Sequence, residues 1–382
     1  MTSTEHTPAV LVLSDGRIFR GRGFGATGTA LGEAVFTTAM TGYQETLTSP
    51  ASHGQLLVAT TPQIGNTGWN DEDSAARDGR IWAAGLIIRD LSRRVSNWRA
   101  ERSLAEELAA QNIIGIHSVD TRTLVRHLRE HGATPAGIFS GADAERSDAE
   151  LREIVAGQSA AAGVDVSVAV TTAEPYTVAA AGQKQYTVVA YDLGIRSTTL
   201  RQFAARGIET VVVPAGTSLA EALQHRPDGI FLSEGPGDPA AADTTVALAR
   251  EILSAGVPLF GSDFGHLILG RALGRDTYKM AGGHHGLNVP VRNHLNDRVE
   301  ITSQHHGFAL AGAPGEEFNT DFGPAAVTHS CLSDDSVEGV ALADGKAFSV
   351  QYHLESAADA TEVNPLLERF AELMSAHSPN RQ

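Results

Sequence analysis

The spacing of hydrophobic residues in the first 150 residues is typical of a mixed α/β domain. Short apolar runs at 9–13, 56–60 and 83–88, the first followed by a turn signal at 14–17, predict buried strands. Helical spacing of apolar residues follows at 101–111 and again at 121–130. Residues 1–150 are therefore predicted to form one domain that contains both element types.

The second half alternates more regularly between strand and helix patterns. Strands are predicted at residues 186–191, 210–213, 229–232 and 257–260, with helices at 197–205, 219–225 and 244–254 between them. Short connections between alternating elements predict a doubly wound, mostly parallel sheet over residues 186–375. Residues 151–185 contain mostly small side chains and are interpreted as a linker.

Three polar segments follow predicted strands of the second half, where doubly wound sheets place their binding sites. The first is the glycine-containing loop 233–239, and the second is the turn Gly-Ser-Asp-Phe-Gly-His at 261–266, centred on Asp263. A strand, a glycine-flanked turn and a helix together are typical of a nucleophile elbow. In the third segment, His353 and Glu355 follow a predicted strand. The histidine could act as a base beside a nucleophile, and the carboxylate could orient it.

Composition narrows the possible functions. The 382 residues carry a net charge of −16 without a Lys/Arg cluster large enough for a nucleic-acid footprint, so we expect no nucleic-acid partner. No apolar run approaches the ~20 residues of a membrane span, and no membrane partner is expected. The single cysteine, Cys331, permits no intrachain disulfide, and a cytoplasmic protein is expected.

The three segments together resemble the triad-type glutamine amidotransferases, whose elbow reads Gly-x-Cys-x-Gly-His-Gln and whose last motif reads His-Pro-Glu. Segments of the first half resemble, more narrowly, the small subunit of carbamoyl-phosphate synthetases. These are Glu-Ala-Val-Phe at 33–36, Met-Thr-Gly-Tyr-Gln-Glu at 40–45, Ile-Gly-Asn-Thr-Gly at 64–68 and Val-Asp-Thr-Arg at 119–122. The resemblance runs in order along nearly the whole chain.

The resemblance implies a subunit that binds L-glutamine, hydrolyses it and passes ammonia to a large subunit. It implies no cofactor in the small subunit, since ATP and Mg belong to the large one. By position, His353 matches the family base and Glu355 its orienting carboxylate, while Asp263 occupies the position of the nucleophilic cysteine. The positions that match the family's glutamine pocket are Ala51, Gly235, Gly237, Phe264, Leu267, His305, Gly307 and Phe308.

The departures from the family pattern concentrate in this pocket. Asp263 replaces the cysteine, Ala51 a serine, Leu267 a glutamine, and His305 and Glu234 each an asparagine. A carboxylate is a far weaker nucleophile toward an amide than a thiolate, and added negative charge opposes an oxyanion. The chain is therefore predicted to lack glutaminase activity while retaining the fold and the large-subunit partner.

Two other functions remain open at this point. Asp263 could itself be an elbow nucleophile, with His353 activating water for a second step. Alternatively, Asp263, His305, His353 and Glu355 could converge on a divalent cation, because carboxylate and imidazole groups suit such ions.

Overall fold

A computed structural model describes residues 7–158, 165–354 and 364–377. It divides the chain into two compact units. The first contains the described residues up to 158 together with Ala281–His285, and the second contains the remaining described residues. The described residues thus pack as two separate units.

The first unit contains nine strands and four helices among its described residues. Its strands are β1 (Pro8–Leu13), β2 (Ile18–Gly25), β3 (Gly28–Thr37), β4 (Gln55–Ala59), β5 (Gln63–Ile64), β6 (Gly85–Ile87), β7 (Asp90–Leu91), β8 (Ile114–His117) and β9 (Thr134–Ser140). Its helices are α1 (Tyr43–Thr48), α2 (Leu104–Ala110), α3 (Thr121–His131) and α4 (Asp148–Ala156).

Seven of these strands close into a barrel in the order β1-β2-β8-β6-β4-β3-β9. The apolar runs predicted to be strands supply β1, β4 and β6, whose central side chains are buried. The helices predicted at 101–111 and 121–130 are found as α2 and α3. The α2 helix begins at a capping box in which Ser103 and Glu106 satisfy each other's backbone N–H groups. Closure of the barrel was not predicted, because it depends on pairings between distant strands.

The second unit contains the remaining elements, except for residues 281–285, which lie within one of its strands but belong to the first unit. Its helices are α5 (Ser167–Val170), α6 (Ser197–Ala205), α7 (Leu219–Gln224), α8 (Asp243–Ala255), α9 (Phe264–Ala272) and α10 (Pro365–His377). Its strands are β10 (Tyr176–Val178), β11 (Tyr186–Asp192), β12 (Ile208–Pro214), β13 (Gly229–Leu232), β14 (Leu259–Ser262), β15 (Thr277–Asn293), β16 (Arg298–Leu310), β17 (Glu317–Thr320), β18 (Gly323–Cys331), β19 (Val337–Leu342) and β20 (Ala347–Val350).

These strands form one sheet in the order β10-β12-β11-β13-β14-β20-β19-β16-β15-β18-β17. The five consecutive strands from β12 to β20 run parallel, as predicted from the alternating pattern. Beyond β20 the paired strands run antiparallel, an extension that the sequence pattern did not predict. The parallel part is covered by helices on both faces, and its carboxyl ends meet along one edge.

The segment interpreted as a linker, residues 151–185, carries more structure than expected. It contains the end of α4, the short helix α5 and strand β10, which pairs with β12 through Tyr176 and Val212. Elements of three or four residues are too short for a periodicity to be recognised from sequence. Among the described residues, no helix has the length and apolar character required to cross a membrane.

Candidate active site

The predicted elbow is confirmed at the junction between β14 and α9. Asp263 connects them with φ 52° and ψ −108°, a conformation that non-glycine residues rarely adopt. A Cβ atom on Gly265 would overlap the carbonyl oxygen of Leu232, so only glycine fits beside the neighbouring strand. The Asp263 amide donates to the carbonyl of Val350 at 2.9 Å, which ties the turn to β20. These constraints hold the Asp263 side chain at the carboxyl edge of the sheet.

The carboxyl group of Asp263 is buried, with 1% of the residue exposed. Gln351 donates from Nε2 to Oδ1 at 3.0 Å. Burial raises the Asp263 pKa well above its usual range, and the nearby Glu234 raises it further. The backbone amides of Gly235 and Phe264 act in the opposite direction, because N–H groups favour the charged carboxylate. Gly235 and Phe264 are both among the positions that the resemblance assigns to the glutamine pocket, and their amides bond to the Asp263 carboxyl group itself.

Glu234 follows β13 and is also buried. Thr199 donates from Oγ1 to its Oε1 at 2.7 Å. The same loop is held by Ser233, whose Oγ accepts from the amide of Leu193 at 2.9 Å. A side chain on Gly235 would overlap the Leu193 carbonyl oxygen, so the backbone must approach closely here. Two buried acidic side chains therefore lie near each other at the carboxyl edge of the sheet, where a charge on one disfavours a charge on the other.

His353 follows β20 and is buried. Its Nδ1 atom lies 2.7 Å from NH1 of Arg196. Burial lowers the His353 pKa well below its usual range, and the Arg196 cation lowers it further, followed by His305 and His306. The imidazole is accordingly neutral at physiological pH. Glu355, the predicted orienting carboxylate, lies outside the described residues.

Arg196 is the residue of this site that the sequence analysis missed. It follows the turn after β11 and precedes α6, so it reaches the same sheet edge as Asp263 and His353. The turn is fixed by Asp192, whose Oδ1 accepts from the amides of Gly194 and Ile195 at 3.0 and 2.9 Å. The available signal was its position in the turn region shortly after the predicted strand 186–191, because parallel strands bring the residues that follow them to one edge of the sheet.

The other predicted pocket residues fall in different surroundings. Phe264 and Leu267 belong to the hydrophobic core of the second unit, so neither side chain offers a polar contact. His305, Gly307 and Phe308 lie together on β16. Burial, reinforced by Arg196, lowers the pKa of His305 to about 4. Gly237 has φ 102° in the loop after β13, and Ala51 lies in a short 3-10 turn of the first unit.

The arrangement does not favour the alternative of a divalent cation. Among the described residues, Asp263, His305 and His353 do not form a group whose ligand atoms all approach within 4.8 Å of one another. The Arg196 guanidinium interacts with all three and would repel a cation. A raised Asp263 pKa also disfavours the elbow-nucleophile alternative, because a protonated carboxyl is a poor nucleophile.

Comparison with known proteins identifies first the class of the second unit and then the family of the whole chain. The family model described as Glutamine amidotransferase class-I matches residues 189–373, the unit that carries the elbow. The model described as Carbamoyl-phosphate synthase small chain, CPSase domain, matches residues 11–138. The chain belongs to the carbamoyl-phosphate synthase small chain family.

Relatives with that name match along the whole chain. A carbamoyl phosphate synthase small chain of Corynebacterium efficiens is 58% identical over 382 residues, which cover 100% of this chain and 96% of the relative. That of Corynebacterium diphtheriae is 59% identical over 377 residues, covering 99% and 100%. That of Mycobacterium tuberculosis is 56% identical over 371 residues, covering 96% and 98%. The resemblance inferred from short motifs is therefore confirmed over the full length.

Proposed function

We propose that this chain is a small subunit of carbamoyl-phosphate synthetase that docks on a large subunit but does not hydrolyse glutamine. The observation that carries the proposal is Asp263 at the elbow apex, where the family has its nucleophilic cysteine. The complex would make carbamoyl phosphate from free ammonia in the cytoplasm. ATP and Mg would be bound by the large subunit, and this chain would need no cofactor.

The chemistry of the elbow supports a loss of hydrolysis. A buried carboxyl with a raised pKa holds its proton and offers no strong nucleophile. Even the ionised form would produce an anhydride, which is less stable than the amide it replaces. Its position at the amides of Gly235 and Phe264 also blocks the donors that would stabilise an oxyanion. Loss of the nucleophile alone costs about a millionfold in the rate of another hydrolase.

The proposal is tested with the chain co-purified with a matching large subunit. We expect complex formation, synthesis of carbamoyl phosphate with ammonium chloride, and none above background with glutamine. The matched control is Asp263→Cys in the same complex. We expect only slight recovery from it, because Ala51, Leu267 and His305 still lack the family's polar side chains.

Each half of the proposal can fail separately. Ammonia release from glutamine by the unmodified complex at roughly 1 per second or faster would contradict the loss of hydrolysis. Failure to bind the large subunit would contradict the docking role. Strong recovery with Asp263→Cys alone would show that the other pocket changes are harmless.

A further inference from the structure

We propose that Arg196 is a positioning residue that fixes His353 in the tautomer with its proton on Nε2, which prevents the imidazole from acting as a base. This inference rests on the proposed function, since it describes how the same site is kept inactive. It adds a second obstacle to glutamine hydrolysis, independent of the missing thiol.

The tautomer follows from the geometry of one hydrogen bond. An arginine guanidinium only donates hydrogen bonds and keeps its charge at every pH that proteins survive. Because NH1 of Arg196 lies 2.7 Å from Nδ1 of His353, Nδ1 must accept that bond. A neutral imidazole carries one proton, which must therefore reside on Nε2.

Neither nitrogen of His353 can then take up a proton. The lone pair of Nδ1 is engaged by Arg196, and Nε2 already carries hydrogen. In a nucleophile–histidine–acid triad, Nε2 accepts the proton while Nδ1–H donates to the carboxylate. The arrangement around His353 is the reverse, so Nδ1 has no hydrogen to offer an orienting carboxylate such as Glu355. The conclusion does not depend on which nitrogen faces the elbow.

The surroundings keep this arrangement in place. Arg196 is 7% exposed, and the preceding turn is anchored by Asp192. The Arg196 cation also acts on Asp263, whose pKa it lowers, so it lies close to the elbow as well as to His353. Among the described residues, the charged or titratable groups that act on His353 are Arg196, His305 and His306, none of which favours a positive imidazole.

Nitrogen NMR of the chain labelled with ¹⁵N-histidine tests this assignment directly. The signals of His353 are identified by their loss in His353→Gln. In the unmodified chain we expect Nε2 to be protonated, Nδ1 to be unprotonated, and the ring to stay neutral well below the pH at which a free histidine is protonated. In Arg196→Met we expect the titration midpoint to move to higher pH, and Arg196→Lys should restore the original behaviour.

Arg206→Met is the matched control, because Arg206 lies at the other end of the same helix and donates to Glu368 at 2.7 Å. It should leave the His353 signals unchanged. A proton on Nδ1 of His353 in the unmodified chain would overturn the proposal, even if Arg196→Met failed to fold. Identical His353 signals in Arg196→Met and the unmodified chain would overturn it as well. Since these measurements do not use glutamine, the assignment and the loss of hydrolysis can be refuted independently.

Discussion

Replacement of His305 by asparagine should make the second unit more resistant to mild acid. His305 lies on β16 with 8% of the residue exposed. Burial, together with the nearby Arg196 cation, lowers its pKa to about 4. Asparagine is similar in size and cannot be protonated in this range, so the substitution removes the titration with little change in packing.

The sign of the effect follows from proton binding. An unfolded histidine has a pKa of about 6.5. Between pH 6.5 and about 4, residue 305 is therefore protonated in the unfolded chain but not in the folded one. Stability is therefore lost as pH falls through this window. The difference between the unfolded pKa of about 6.5 and the folded pKa of about 4 corresponds to roughly 3 kcal/mol of stability at low pH, and about 2 kcal/mol of this is already lost at pH 5.

The measurement is the free energy of unfolding in urea at pH 7 and pH 5, for the unmodified chain and for His305→Asn. Pulse proteolysis scored on fragments from residues 186–354 follows the second unit. Fluorescence of Trp69, Trp82 and Trp98 follows the first unit, which contains all three tryptophans. Other titrating groups contribute to both chains, so they largely cancel in the difference.

We expect the unmodified chain to lose about 2 kcal/mol more than His305→Asn between pH 7 and pH 5. The control His225→Asn removes an imidazole from the exposed end of α7. If the two asparagine variants show the same pH dependence as the unmodified chain, the imidazole of His305 is not held neutral by burial, and the reasoning fails.

Two further changes test the packing that builds the site. Gly265→Ala should lower the free energy of unfolding of the second unit in urea by roughly 1–3 kcal/mol or more, because the new Cβ overlaps the carbonyl oxygen at the end of β13. Its control, Gly216→Ala, places the Cβ in open space and should be nearly neutral. Thr199→Val should cost roughly 1–3 kcal/mol in the same assay, because it removes a donor to the buried Glu234. Thr198→Val is its control, since among the described residues that hydroxyl has no hydrogen-bond partner; equal losses would contradict the assigned role.

Local patterns were sufficient to predict the elbow and the sheet that carries it. The predicted strands at 229–232 and 257–260 appear as β13 and β14, and Asp263 lies in the turn that follows. The helix after the turn begins directly at Phe264. Glycine spacing and strand length are encoded within a few residues, so they can be recognised without the tertiary structure.

The chemical state of the site was decided by the tertiary structure. Arg196 and His353 are separated by 157 positions, and their contact depends on β11 and β20 delivering residues to the same edge. Closure of the barrel and the antiparallel extension beyond β20 likewise depend on distant pairings. The sequence by itself determined the family, the elbow and the missing thiol, since these depend on which residues occur and in what order. Only the tertiary structure decided which tautomer His353 adopts and how strongly each pKa is shifted, because burial and the distances between charges exist only once the chain has folded.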